Sequence, residues 1–316
     1  MDIIPQLDPE LRSIVTSLPV LDLRDIGAAR DTLRSIYAQT NTASTRESVV
    51  SEDYKVPGLD GEPSVIVRLF RPRDASGQIP CLIWTQGGGY VLTAPDFDDQ
   101  FCSALVDLHH CAVASIDWRR APEHPFPGAL NDAYAALAWA SDQSSDLGID
   151  KGRIAIGGHS SGGGVTAALA LMARDRNEYQ VCHQLLIYPM VDASGDTASN
   201  QRITDERVWN CTSNRIGWAN YLGEAYGGDE IPAYAAAARA EDLSGLADAT
   251  VLVGELDPLL DEDVSYAQRL MQAGVSTELH VYRAAHHAFD RHAPTARITR
   301  RFNTDRDAAL AHAFVA

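Results

Sequence analysis

The apolar run Ile154-Ala155-Ile156 leads into Gly157-Gly158-His159-Ser160-Ser161-Gly162-Gly163-Gly164, and the alanine-rich stretch Val165 to Ala173 follows. The order is strand, tight turn, helix, with Gly158-x-Ser160-x-Gly162 on the turn. That is the setting in which a Gly-x-Ser-x-Gly pattern means a nucleophile elbow, a strained corner that projects a serine hydroxyl from the top of a sheet. The flanking glycines let strand and helix approach each other closely. A glycine-rich turn that merely opens a helix would look the same in isolation, so the reading depends on the rest of the chain.

Acyl transfer needs donors for the developing oxyanion as well as a nucleophile. Gln86-Gly87-Gly88-Gly89-Tyr90, directly after the strand-like Cys81-Leu82-Ile83-Trp84, supplies backbone amides unobstructed by Cβ atoms. Gly88 and Gly89 are the expected donors, with the amide of Ser161 as the third. The base and its orienting acid are expected later, in the order serine, acid, histidine. Thr250 to Gly254 reads as a buried strand followed by Glu255-Leu256-Asp257-Pro258-Leu259, and the strand-like Thr277 to Tyr282 precedes His286-His287-Ala288-Phe289. Both candidates lie beyond the carboxyl end of a strand, where open α/β sheets place ligands. Ser160, Asp257 and His287 are therefore the expected triad, with Glu255 a rival for the acid role.

These blocks resemble the hormone-sensitive-lipase-like, or bacterial family IV, carboxylesterases of the α/β-hydrolase fold. Gln86 to Tyr90 resembles that family's His-Gly-Gly-Gly loop, and Gly158 to Gly163 its Gly-Asp-Ser-Ala-Gly-Gly elbow. Asp117-Trp118-Arg119-Arg120-Ala121-Pro122-Glu123-His124-Pro125-Phe126-Pro127 is similar to Asp-Tyr-Arg-Leu-Ala-Pro-Glu-His-Pro-Phe-Pro. Asp257-Pro258-Leu259 and His287-Ala288-Phe289 resemble its Asp-Pro-Leu and His-Gly-Phe, and this Pro-Leu context favours Asp257 over Glu255 as the acid, leaving Glu255 to brace the strand end. Gln86, His159, Ser161 and Ala288 depart from the pattern without removing a triad group. The segment from Asp117 to Pro127 reads as scaffolding, with Arg119 and Glu123 expected to tie it to the oxyanion loop.

The resemblance implies hydrolysis of small hydrophobic esters with short to medium acyl chains. Related amide, lactone or carbamate hydrolysis remains an alternative, and a non-catalytic small-molecule binder a remoter one. It also implies a single domain over 1–316 whose helical cap comes from about 1–45 and 192–246, the first piece helical from Pro9 to Ala43. Tyr90, His159 and Trp209 are candidate substrate-pocket residues. A homodimer is an expectation from the resemblance and from a sheet edge near Thr277 to Tyr282.

Strand-like and helix-like segments alternate, which implies a mostly parallel sheet covered on both faces. The expected strands are Ser48 to Val56, Ser64 to Phe70, Cys81 to Thr85, Cys111 to Asp117, Arg153 to Gly157, Gln184 to Tyr188, Thr250 to Gly254 and Thr277 to Tyr282. Phe101, Ala104, Leu105 and Leu108 have helical spacing and are expected to pack on the sheet. The formal charge of −17 argues against nucleic acid or anionic membrane surfaces as partners. Five cysteines lack paired spacing and the N-terminus lacks a signal-peptide pattern, so a cytoplasmic protein with reduced thiols is expected. No metal or nucleotide motif is present in the sequence, and no cofactor is expected.

Overall fold

The computed structural model describes residues 2–40, 46–92, 94–228 and 230–315. Eight strands make one sheet: β1 (Val49–Val56), β2 (Val65–Pro72), β3 (Ile79–Thr85), β4 (Ala112–Asp117), β5 (Ile149–His159), β6 (His183–Ile187), β7 (Asp248–Leu256) and β8 (Thr277–His286). Their order is β1-β2-β4-β3-β5-β6-β7-β8; β1, β2 and β4 pair antiparallel and the rest parallel. The eight expected strands are all found, several longer than expected. The extensions carry β5 up to the residue before Ser160 and β8 up to the residue before His287.

The helices are α1 (Pro9–Ser17), α2 (Ile26–Thr40), α3 (Asp99–His109), α4 (Gly128–Asp142), α5 (Ser144–Leu147), α6 (Ser161–Arg176), α7 (Ala198–Arg202), α8 (Cys211–Leu222), α9 (Leu260–Gln272), α10 (Phe289–His292) and α11 (Arg297–Val315). They cover both faces of the sheet. On β3, Cys81 and Ile83 face a layer built from α4, α6 and α9, while Leu82 and Trp84 face one built from α1, α3 and α11. With helices on both sides, alternate side chains all enter apolar layers, and the strand reads as an unbroken hydrophobic run. Each central parallel strand ends at the same rim of the sheet, so the turns that follow β3, β5, β7 and β8 share one crevice.

Helix α3 departs from the expected packing. Cys102, Leu105 and Val106 form its buried face, whereas Leu108 is 60 % exposed and Phe101 and Ala104 are only half-buried. Phe101 and Leu105 do reach the sheet side, the Phe101 ring lying 4.7 Å from that of Trp84 on β3, whereas Ala104 and Leu108 do not; all four also line one long cleft that runs between α3 and α11. The helix serves two neighbours, sheet and α11, and its spacing alone does not say which neighbour each side chain meets.

The two pieces outside the strand-helix alternation meet each other. Leu21, Ile26 and Leu33 share a small apolar cluster with Leu23, Val91, Leu92, Ala121, Trp209 and Ile216. The segment 192–246 divides: α8 offers Ile216 to the cluster shared with the first piece, but its Trp218, Tyr221 and Leu222, with Ile231, Ala235 to Ala237, Leu243 and Leu246, join the main core, and Ser199 of α7 bonds Pro258 and Asp261 at the start of α9. Arg269 of α9 donates to the carbonyls of Ala238 and Ala240, and Arg174 of α6 to those of Asp242 and Ser244, strapping this latter half down. Residues 41–45, the end of the expected N-terminal cap piece, lie outside the described residues.

Candidate active site

Ser160 sits between β5 and α6 with φ 56° and ψ −124°, a conformation that side-chain-bearing residues avoid. Three backbone hydrogen bonds hold it there: its N–H donates to Ile187 O (2.9 Å), and its carbonyl accepts from Gly164 N and Met190 N (3.0 Å each). The corner also requires glycine at 162, where a Cβ would fall 2.1 Å from Thr85 O and 2.5 Å from Gln86 O. The β3 backbone thus presses directly on the first turn of α6. The overdetermined strain and the close approach are the two features the Gly-x-Ser-x-Gly pattern anticipates.

His287 follows β8 and Asp257 follows β7. His287 Nε2 lies 2.9 Å from Ser160 Oγ, and its Nδ1 lies 2.7 Å from Asp257 Oδ2. The other Asp257 oxygen accepts the N–H of Leu259 at 2.9 Å, which fixes the carboxylate's rotation. Asp257 is fully buried, and Ser160 and His287 are each 5 % exposed. With Asp257 accepting at Nδ1, the imidazole carries its proton there and leaves Nε2 free to accept from the serine. Glu255, the rival acid, is exposed and accepts the N–H of Ala284 at 2.7 Å, bracing the strand end instead.

Gly87, Gly88 and Gly89 line a cleft of about 1080 Å³ together with His159, Ser160 and His287. The Gly87 N–H is already engaged by His159 Nε2 at 3.1 Å. Gly88 and Gly89 adopt φ 137° and 58°, and the amide of Ser161 heads α6. Trp209 lies over the loop: a Cβ on Gly89 would meet its Cη2 at 2.1 Å, and its ring centroid is 6.0 Å from that of His287. Further apolar wall comes from the N-terminal segment, including Leu21, Leu33 and Tyr37, and from Phe97, whose ring stacks on Tyr37 at 4.0 Å.

One loop residue is placed differently from expectation. Tyr90 does not line the cleft; its ring is buried, stacked 3.8 Å from that of Tyr221, with its hydroxyl donating to Met190 O. Its φ of 66° turns the side chain away from the cleft, into α8. Gln86 also turns inward, its amide donating to Ser115 Oγ at 2.5 Å. In the segment 117–127, Arg119 pairs with Asp132 and Glu62, not with the oxyanion loop. The direct link to the loop is a backbone bond, Ala121 N to Tyr90 O at 3.0 Å. Glu123 reaches the loop only through Arg30 of α2, which grips both Glu123 oxygens at 2.6 and 2.9 Å and donates to Val91 O and Ala121 O.

A charged network that the sequence did not signal stands behind His159. Asp98 is buried, accepts from Trp84 Nε1 at 2.8 Å and pairs with Arg291 at 2.5 Å. Burial pushes the Asp98 carboxyl up, but the Arg291 guanidinium and the Trp84 N–H outweigh burial and hold it below its usual range. Burial depresses His159 to about 3 against the opposing pull of Asp98, so the imidazole is neutral. Nothing in the local sequence marks Asp98 or Arg291, which meet across 193 residues of chain.

Among the described residues, no cluster of three or more metal-ligating side chains and no helix long and apolar enough to cross a membrane occurs. A family profile for the alpha/beta hydrolase fold matches residues 82–291. The carboxylic ester hydrolase LipN of Mycobacterium tuberculosis is 34% identical, covering 90% of this chain and 77% of its own length. The carboxylesterase NlhH of the same species is 32% identical over 87% of this chain and 86% of its own. The solved structure of a bacterial heroin esterase superposes with a TM-score of 0.96 at 37% identity, covering 98% of this chain and 99% of that one. A strained serine at the strand-helix corner, a histidine and carboxylate aligned behind it, and these matches along nearly the whole chain lead to one assignment: this protein belongs to the α/β-hydrolase family, in the hormone-sensitive-lipase-like branch that its motifs resemble.

Proposed function

We propose that this protein is a serine carboxylesterase acting on small, hydrophobic esters of short to medium acyl chain. The observation that carries the reading is the unbroken chain Ser160 Oγ, His287, Asp257, at 2.9 and 2.7 Å, with the serine held in a strained corner. Carboxylesterase names among the relatives support the same reaction class.

In the first step Ser160 Oγ attacks the ester carbonyl carbon while His287 Nε2 takes its proton, and Asp257 stabilises the resulting imidazolium. The carbonyl oxygen gains the negative charge and accepts hydrogen bonds from Gly88, Gly89 and Ser161 amides, donors already fixed before the reaction. The C–O bond to the alcohol then breaks as His287 returns the proton to the leaving oxygen. Water attacks the acyl-serine by the same route, releasing the acid and restoring Ser160. Trp209, His159 and the N-terminal apolar residues form the walls around the ester. The cap in this reading is the stretch from Leu18 through α2 together with the segment 206–213 that leads into α8, which line the cleft and shield it from water. A cytoplasmic location fits the five free thiols, and a homodimer through the edge strand β8 fits its half-exposed outer face.

The test is hydrolysis of p-nitrophenyl esters from acetate to palmitate by wild type and Ser160→Ala. The expected result is activity highest at short chains and lost in the variant. A folded wild type that cleaves none of the esters, or a variant that keeps a burst of p-nitrophenol, would overturn the assignment.

A further inference from the structure

The oxyanion loop is pinned from two sides. At its base, the Gln86 side chain is 1 % exposed and bonds Ser115 on β4, so it contributes nothing on the cleft side. One residue further, the Gly87 N–H donates to Nε2 of His159, the residue immediately before the nucleophile. The approach is close enough that a Cβ at position 87 would sit 2.7 Å from His159 Cδ2 and 2.9 Å from Nε2. The imidazole itself has little freedom. Its ring stacks beside Trp84 at 5.6 Å, meets Tyr188 edge-on at 6.3 Å, and turns Nδ1 toward Asp98 across 3.6 Å.

From this geometry we infer that His159 is a positioning residue: its Nε2 acceptor holds the Gly87 amide and thereby sets where the Gly88 and Gly89 donors stand relative to Ser160. The inference rests on the esterase reading above. Because His159 neighbours Ser160 in sequence, it couples loop and nucleophile through one rigid turn. A donor displaced by about 1 Å can cost on the order of 100-fold in rate even when the displaced group is intact. The bond requires the neutral ring, since an imidazolium has no acceptor. Burial of the ring favours that form, and its proton then sits on Nδ1, facing the Asp98 carboxylate.

The experiment compares wild type, His159→Phe and His159→Gln. Phenylalanine keeps a ring but removes the acceptor; glutamine restores a side-chain carbonyl that can accept from Gly87. Expected for His159→Phe is a fall in kcat of about 10- to 100-fold with KM within about threefold. A trifluoromethyl ketone, which captures the oxyanion geometry, should lose affinity in proportion to kcat/KM, while the product alcohol binds unchanged. His159→Gln should recover at least tenfold of the lost kcat. Equal kcat in both variants and wild type, a loss confined to KM, or a Phe defect that Gln does not relieve in a folded protein would each overturn the inference. Labelling of wild type at Ser160 by a fluorophosphonate separates this from the esterase reading. No labelling sinks the esterase reading itself, whereas labelling with a flat His159 series sinks the positioning role alone.

Discussion

Replacing Asp257 by Asn tests the site at the point where geometry makes the sharpest demand. One Asp257 oxygen accepts the Leu259 N–H at 2.9 Å, and the other accepts His287 Nδ1–H at 2.7 Å. An asparagine has one acceptor oxygen. The Leu259 amide can only donate, so it claims that oxygen and leaves the NH₂ group facing His287 Nδ1. The histidine must then accept at Nδ1 and carry its proton on Nε2, aimed at Ser160 Oγ, where it cannot act as a base. A wrong tautomer of this kind costs about 10⁴ in kcat, or ~5.5 kcal/mol of transition-state stabilisation. The folded structure should barely change, because both hydrogen bonds persist with new roles. The assay is steady-state p-nitrophenyl acetate hydrolysis with Glu255→Gln alongside, thermal melting reporting integrity. Glu255 is exposed and bonded to Ala284 N–H, so its variant should stay within about threefold of wild type. If Asp257→Asn keeps more than a tenth of the activity, or Glu255→Gln is the more damaging, the tautomer argument and the choice of acid are both refuted.

Two further outcomes follow from groups outside the chemistry. Asp263 on α9 is fully buried with neither carboxylate oxygen hydrogen-bonded among the described residues, and burial, with Glu262 and Asp257 nearby, pushes its carboxyl well above the usual range. A carboxyl raised on folding binds a proton that the unfolded chain releases. Stability from this group is therefore full below the unfolded value near 4 and declines as pH rises toward the folded value, by about tenfold in the folding constant per pH unit. Asp263→Asn should flatten that decline and stabilise the protein at pH 7, read by denaturant unfolding at pH 5, 6, 7 and 8; parallel pH slopes for the two proteins would contradict the assignment. Arg30→Met removes the α2 latch on Val91 O, Ala121 O and Glu123, whose carboxyl Arg30 holds down at about 2. The two carbonyl bonds are part-buried and worth roughly 1 kcal/mol each, while the Glu123 pair adds little because that side chain is 54 % exposed. Melting should fall by several degrees and proteolysis between α1 and β1 should accelerate; an unchanged melt with unchanged cleavage would mean the latch is ornamental.

The sequence by itself determined the alternation of strands and helices, the strained corner at Ser160 and the serine, acid, histidine order, because each is encoded by neighbours. A two-residue or 3.6-residue period, a glycine beside a turn and a proline in a loop act over a few residues of chain, and tertiary packing had no reason to overrule them. Partnerships across the chain were decided by the tertiary structure. Whether Asp257 or Glu255 faced His287 depended on where β7 ended: Glu255 lies within the strand and exposed, Asp257 just beyond it and buried. Tyr90 read as a pocket residue until its positive φ swung it into α8, and α3 showed the right period while its neighbours chose which stripe met the sheet. His159 shows the division most plainly. Its position beside the nucleophile is written in the sequence, but its acceptor bond to Gly87 spans 72 residues, and its Asp98 and Arg291 neighbours come from the 3-10 turn before α3 and from α10, far apart in the chain. Those contacts arise only when parallel strands bring their carboxyl ends to one rim, a long-range event that local chemistry permits and only packing specifies.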